Sequence, residues 1–150
     1  MSEQLHWTLK PFNELRPKEL YAIMQLRIEV FIVEQNCVFQ DADDKDHYCQ
    51  HLMGWAGDEL AAYARIVPPD ISYTEPSIGR IITSPKHRGT GAGKVLVARA
   101  IDMLEGIHGV QPIRIGAQLY LEKFYESFGF VSEGDVYLED GIDHIIMVRP

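Results

Sequence analysis

A chain of 150 residues, 46% of them apolar and 24% charged, has the size and composition of one globular domain over residues 1–150, and excludes a disordered segment. Its formal net charge of −8 excludes the basic face that wraps a nucleic-acid backbone, and no apolar run approaches the ~20 residues of a membrane helix. The stretch Met1–His6 lacks the basic start and apolar core of a signal peptide, and Cys37 and Cys49 make no disulfide framework, so a cytoplasmic protein is expected, as a monomer or a homodimer.

His6 to Phe12 is short and partly alternating, which predicts a first strand stopped near Pro11. From Pro17 the spacing changes. Leu20, Ile23, Met24, Arg27, Val30 and Phe31 recur at three and four, a helix with one apolar stripe. Gln35 to His47 is polar and irregular. His51–Trp55 and Leu60–Val67 then flank the turn-rich Ala56-Gly57-Asp58-Glu59, a hairpin. Ser77–Thr83 reads as a buried strand closed by Pro85. Val95, Leu96, Ala98, Ile101 and Leu104 mark a long helix opening near Gly91.

Ile113–Ala117 is a strand again, and Tyr120–Phe128 a short helix stopped by Gly129. Two strands, around Phe130–Tyr137 and His144–Val148, join near Asp140-Gly141. The order β-α-β-β-β-α-β-α-β-β predicts an α/β (α+β) fold, a mixed sheet of about seven strands with helices on both faces.

The chemistry concentrates between Ile81 and Leu96. A strand runs into a turn with glycines at 89, 91 and 93, and a helix follows at once. Such a turn aims several backbone N–H groups one way and adds the positive end of a helix, a site for a phosphate-like anion. Lys86, Arg88 and Lys94 add positive charge. The spacing is not the dinucleotide fingerprint G-x-G-x-x-G, and Lys94 is followed by Val95, so it is not a Walker A loop. The bland alternative is a turn that only reverses the chain.

Arg88-Gly89-Thr90-Gly91-Ala92-Gly93 resembles the [R/Q]-x-x-G-x-[G/A] signature of the GNAT acetyltransferase superfamily, between the same strand and helix. Lys123–Phe130 contains Phe124-Tyr125-Glu126-Ser127-Phe128-Gly129-Phe130, which is similar to the superfamily's F-Y-x-x-x-G-F helix end. Val30–Asn36, His51–Trp55, Gly116–Gln118 and Asp140–Ile145 resemble its small bacterial ElaA-type branch. The resemblance covers nearly the whole chain. It implies acetyl-CoA as co-substrate and direct transfer of the acetyl group, in a ternary complex, to a primary amine of a small molecule or a protein. The rival is a CoA-binding regulatory module that has lost catalysis.

The resemblance also implies roles. The amides of Arg88, Gly89, Thr90, Gly91, Ala92 and Gly93 hold the pyrophosphate, and the backbone of Ile81, Ile82 and Thr83 pairs with pantetheine as an added strand. Gln118 stands where many relatives place an Asn, one methylene shorter. Tyr125 matches the general acid that protonates the departing thiolate, a task within reach of a phenol of pKa ~10; the alternative is that it packs beside Phe124 and Phe128. Many relatives carry a Glu on the strand before the Gly-rich turn, and Ile78-Gly79-Arg80-Ile81-Ile82 has none.

Candidates for the acceptor side are therefore Glu34, His51 and His144, each able to take a proton or hold a cation, and each equally able to be structural. Arg65 and Arg80 lie within apolar strands, where an unpaired charge is costly; they pair with Glu34 or meet a substrate carboxylate. No metal is expected. His47, Cys49 and His51 alternate without a second ligand pair, and Asp41–Asp46 departs from a calcium loop and reads as a solvated acidic segment.

Overall fold

A computed structural model of the chain describes residues 4–150; Met1, Ser2 and Glu3, the start of the stretch read for a leader, lie outside the described residues. Strands β1 (His6–Pro11), β2 (Gln50–Ala56), β3 (Glu59–Val67), β4 (Ser77–Thr83), β5 (Ile113–Gln118), β6 (Val131–Glu139) and β7 (Ile142–Arg149) alternate with α1 (Pro17–Arg27), α2 (Ala92–His108) and α3 (Glu122–Glu126) in the predicted order. No helix among the described residues is long and apolar enough to cross a membrane.

The strands form two antiparallel leaves, β1-β2-β3-β4 and β5-β7-β6. They meet where the Arg114 N–H donates to the Pro76 carbonyl at 3.2 Å, just before β4. The leaves then part, so the expected seven-stranded sheet is split. A bulge lies at the seam: Arg80 and Ile81 together face Ala64 of β3, and Arg80 has φ 49°. A bulge bends its strand and twists it away from its neighbour.

Both faces of β3 are covered, which is why its residues from Leu60 to Val67 are all buried. Ala62, Ala64 and Ile66 pack with Leu96, Ala100 and Leu104 of α2. Tyr63, with Met53 of β2, packs with Ile23 and Leu26 of α1 on the opposite face. Residues two apart on a strand share a face, so the alternation places one helix on each side.

The first helix differs from its predicted course. Pro17 opens it, with Glu19 accepting the Arg16 N–H at 2.7 Å, but the α winding ends at Arg27 and Ile28–Glu34 continues as a π-helix. Arg27 interrupts the apolar stripe and is fully buried, with its Nε bonded to Asp41 at 2.7 Å and its Nη1 to Asp46 at 2.8 Å.

Asp41–Asp46 is therefore not a solvated acidic segment. Asp41 and Asp46 are buried, and Asp43 takes a two-pronged bond from Arg65 at 2.6 and 2.8 Å. Arg80 bonds Asp41 at 2.8 Å and Asp43 at 3.3 Å. Neither Arg65 nor Arg80 pairs with Glu34, which lies elsewhere. Three arginines and three aspartates thus neutralise one another beneath the loop.

Burial pushes the Asp43 and Asp46 carboxyls up, but the guanidiniums of Arg65 and Arg80 beside the first, and of Arg27 and Arg65 beside the second, hold both below the ordinary range. Carboxylates with depressed native values contribute stability that is present above their unfolded pKa of about 4 and lost as pH falls through the native values. Urea unfolding should therefore show a midpoint that drops below about pH 4. Asp46→Ala, which strips a partner from buried Arg27, should cost about 3–5 kcal/mol at pH 7 and flatten that acid slope.

Candidate functional site

Where the leaves part, a cavity of about 420 Å³ opens. Its walls are Ile78–Thr83 of β4, Ile115–Gln118 of β5, the π-helix, and Phe124 and Tyr125 of α3. Of the sequence-predicted residues, Ile81, Ile82, Thr83, Arg88, Gly93, Gln118, Tyr125, Glu34, His144 and Arg80 line it. Gly89, Thr90, Gly91 and Ala92 build the adjoining loop without lining the cavity.

That loop has the conformation its glycines permit. Gly89 and Gly91 lie at φ 78° and 84°, the left-handed region that a side chain resists. Gly91 caps α2, whose ladder starts with Val95 N–H donating to the Gly91 carbonyl at 3.3 Å. The N–H groups of Ala92, Gly93 and Lys94 come before that ladder and are left for an external acceptor. A Cβ on Gly93 would stand 3.9 Å from Thr83 Cγ2 and 4.0 Å from Phe124 Cζ, which places this glycine at the gap between β4 and α3.

Arg88 reaches back across the mouth to the π-helix. Its two terminal nitrogens bond the Glu34 carboxylate at 2.6 and 2.7 Å, and this bond holds Glu34 below the ordinary carboxylate range. Beside it, the Gln35 and Gln118 side-chain amides bond each other at 3.3 and 3.5 Å, joining the π-helix to β5. Arg80 borders the cavity, but its guanidinium is spent on Asp41 and Asp43 and lies 5.9 Å from the Phe31 and Phe39 rings.

Tyr125 is buried, with ring centroids 5.3 Å from Phe124 and 6.0 Å from Phe130. Burial pushes its hydroxyl well above the ordinary phenol range, so it keeps its proton at neutral pH. Packing and proton donation are thus compatible at this residue.

His144 lies on β7 opposite Gln118 of β5 and Tyr137 of β6. Its Nδ1 stands 2.7 Å from the Ile142 carbonyl, which can only accept, so Nδ1 carries the hydrogen and the lone pair of the neutral ring is on Nε2. Nε2 stands 3.4 Å from a Glu139 carboxylate oxygen.

His51 is not brought to the cavity. It is buried, with Nε2 donating to the Asp46 carbonyl at 2.9 Å and Nδ1 accepting the Tyr63 hydroxyl at 2.6 Å. Burial lowers its pKa and favours the neutral ring, which supports the aspartate loop from below. Among the described residues no group of three or more His, Cys, Asp or Glu side chains is placed to hold a metal ion.

Sequence reasoning missed Glu139, Tyr73 and Tyr137. Glu139 lines the cavity, and a Cβ on Gly116 of β5 would come within 2.7 Å of the Tyr137 hydroxyl and 3.0 Å of the Tyr73 hydroxyl. A signal for two of these existed. Asp140 and Gly141 both take positive φ in a two-residue hairpin, which fixes the register and puts Tyr137, Glu139 and His144 on one face. Tyr73 sits in an irregular connection with no such periodicity.

Gly89 and Gly91 differ from the exposed Gly106 inside α2 in backbone alone: a Cβ would meet nothing within 4 Å at any of the three, but only Gly89 and Gly91 have positive φ. Gly91→Ala should cost about 1–2 kcal/mol in urea unfolding, the penalty of a left-handed side chain. Gly106→Ala should stabilise by about 0.4–1 kcal/mol in the same measurement.

The profile of the Acetyltransferase (GNAT) domain matches residues 20–149. Protein ElaA of Escherichia coli is 42% identical over 147 residues, 97% of this chain and 96% of that one. Its crystal structure superposes with a TM-score of 0.92, covering 98% of this chain and 100% of that one. An acyl-CoA N-acyltransferase from Pseudomonas aeruginosa is 42% identical, with a TM-score of 0.94 over 98% of this chain and 100% of that one. A GNAT acetyltransferase from Elizabethkingia anophelis with acetyl-CoA bound, 13% identical with a TM-score of 0.68 over 98% of each chain, shares the fold.

Proposed function

The chain belongs to the GNAT acetyltransferase family, and from that premise we propose that it moves an acetyl group from acetyl-CoA directly to a primary amine within a ternary complex. The observation that carries the proposal is the cavity itself. It runs from Gly93, in the first turn of α2, to the buried, protonated Tyr125 and to the ionisable groups of the β6–β7 hairpin. Its volume of about 420 Å³ lies within the range of small-ligand sites.

In this reading the amides of the loop 88–93, with Arg88, hold the cofactor's pyrophosphate. Arg88 then exchanges the Glu34 carboxylate for phosphate, an exchange made easy by the exposure of that ion pair. Glu34 serves to orient Arg88 before the cofactor arrives. The edge of β4 from Ile81 to Thr83, which faces the parted leaf, offers its backbone groups to the extended pantetheine arm. The Gln118 amide borders the same path.

The amine nitrogen attacks the thioester carbonyl carbon, the C–S bond breaks, and the Tyr125 O–H gives its proton to the departing sulfur. A neutral phenol suits this step because a thiolate leaving group needs a proton and a buried phenol retains one. The rival, a CoA-binding module without catalysis, is separated by thiol release from acetyl-CoA in the presence of an amine panel.

Two variants test the proposal. Gly93→Val keeps an ordinary backbone but narrows the gap between Thr83 and Phe124, so calorimetry should show CoA affinity falling by ~10-fold or more in a folded protein. It is a cleaner probe than a change at Gly91, where backbone strain would confuse the outcome. Tyr125→Phe retains the ring packing and removes the donor. Turnover should fall by ~10²–10⁴-fold with CoA affinity little changed, and near-normal turnover would assign Tyr125 to packing alone.

A further inference from the structure

The charges around the cavity are unequal in one respect. Arg88 is neutralised by Glu34, and Arg80 by Asp41 and Asp43. Among the described residues no lysine lines the cavity. Glu139 is the lining carboxylate that has no lysine or arginine partner among the described residues; its contact is the His144 ring. The Glu139 side chain is 59% exposed and that of His144 8%, so the pair runs from the solvent mouth inward.

The surroundings favour a cation at this end. Burial and the neighbouring Glu139 charge push the Tyr73 and Tyr137 hydroxyls up, Tyr137 to about 12, with Tyr73 itself adding to the effect on Tyr137. Both phenols stay neutral and set their hydroxyls against Gly116, a wall residue of the cavity, behind the lining carboxylate rather than in the cavity itself. The bare backbone of Gly116 leaves them room, since a methyl group there would collide with both hydroxyls. A carboxylate entering here would meet Glu139, and among the described residues that line the cavity it would find no guanidinium or ammonium left unpaired.

We infer that the β6–β7 hairpin is the acceptor site and that it selects primary alkylamines without a carboxylate, Glu139 holding the ammonium and His144 taking its proton. This rests on the acetyl-transfer reading above. The ammonium gives one proton to the Nε2 lone pair of His144, and the imidazolium so formed is paired with Glu139. The freed amine lone pair makes the N–C bond. As the C–S bond breaks, Tyr125 protonates the sulfur, and the nitrogen's second proton leaves to solvent, which reprotonates Tyr125. The sum is one amide, one thiol and one proton from one ammonium and one thioester.

The test uses matched acceptors: pentylamine with 5-aminopentanoate, and phenethylamine with phenylalanine. Thiol release from acetyl-CoA gives kcat and KM, and calorimetry gives CoA affinity. The wild-type protein should use the carboxylate-free member of a pair with a kcat/KM at least ~10-fold higher. Glu139→Gln should raise KM for that amine ~10-fold and shrink the discrimination, with CoA affinity unchanged. His144→Gln should lower kcat by ~10²-fold with a smaller change in KM. Equal use of both members, or a Glu139→Gln protein with undiminished discrimination, overturns the inference while amine acetylation stands. Tight CoA binding with no amine acetylated overturns the transfer reading as well.

Discussion

The cavity depends on a bend in β4, and the bend depends on buried charge. Arg80 adopts φ 49° in the bulge, a conformation costing of order 1–3 kcal/mol for a residue with a side chain. Asp41 and Asp43 grip its guanidinium, and the same aspartates, with Asp46, hold Arg27 and Arg65. Ion pairs of this kind contribute little net stability, because desolvation offsets the attraction. Their effect is positional. A missing partner would strand a charge, so α1, the loop, β3 and β4 accept one mutual arrangement, and in it the leaves part.

The second consequence is a division of labour by burial. Deep in the cavity, the surroundings of Tyr125 hold the phenol neutral. At the mouth, Glu34 and Arg88 form an exposed pair that water and salt can screen. Under the proposed function, a strong buried pair there would compete too well with the cofactor's phosphate. The arginines of the aspartate cluster are buried or half-buried with their partners, and Arg88, beside the start of α2, is left in an exposed pair.

Local chemistry was legible in the sequence and distant pairing was not. The glycines at 89 and 91 announce a loop that needs left-handed backbone, and Pro17, Pro85 and Gly129 mark element ends that the structure reproduces within a residue or a few. The Asp140-Gly141 pair announces its hairpin equally well. By contrast, Asp41, Asp43 and Asp46 look like solvated charge until Arg27, Arg65 and Arg80 arrive from 14 to 39 positions away in sequence. His51 misleads for the same reason, since its partners are the Tyr63 hydroxyl and a loop carbonyl that no spacing rule brings together. The split sheet escaped because its bulge sits at an arginine, where a glycine would have signalled it.

The missing strand carboxylate has a physical explanation in the same network. A base on β4 near the bulge would sit beside Asp41 and Asp43, both committed to arginines, and would add an unpaired negative charge to a neutral buried cluster. Arg80 occupies that stretch of the cavity wall, enclosed by Phe31 and Phe39. A proton acceptor is tolerated more easily on the opposite leaf, where Glu139 reaches solvent and, among the described residues, has no arginine partner, Arg114 of the same leaf being paired with Glu75 and Glu133. There the imidazole of His144 is fixed through Nδ1 by the Ile142 carbonyl, so the hairpin that sets the register also turns Nε2 toward Glu139. Once the bulge is braced by arginine, the lining carboxylate that has no arginine or lysine partner among the described residues stands across the cavity, on the β6–β7 hairpin.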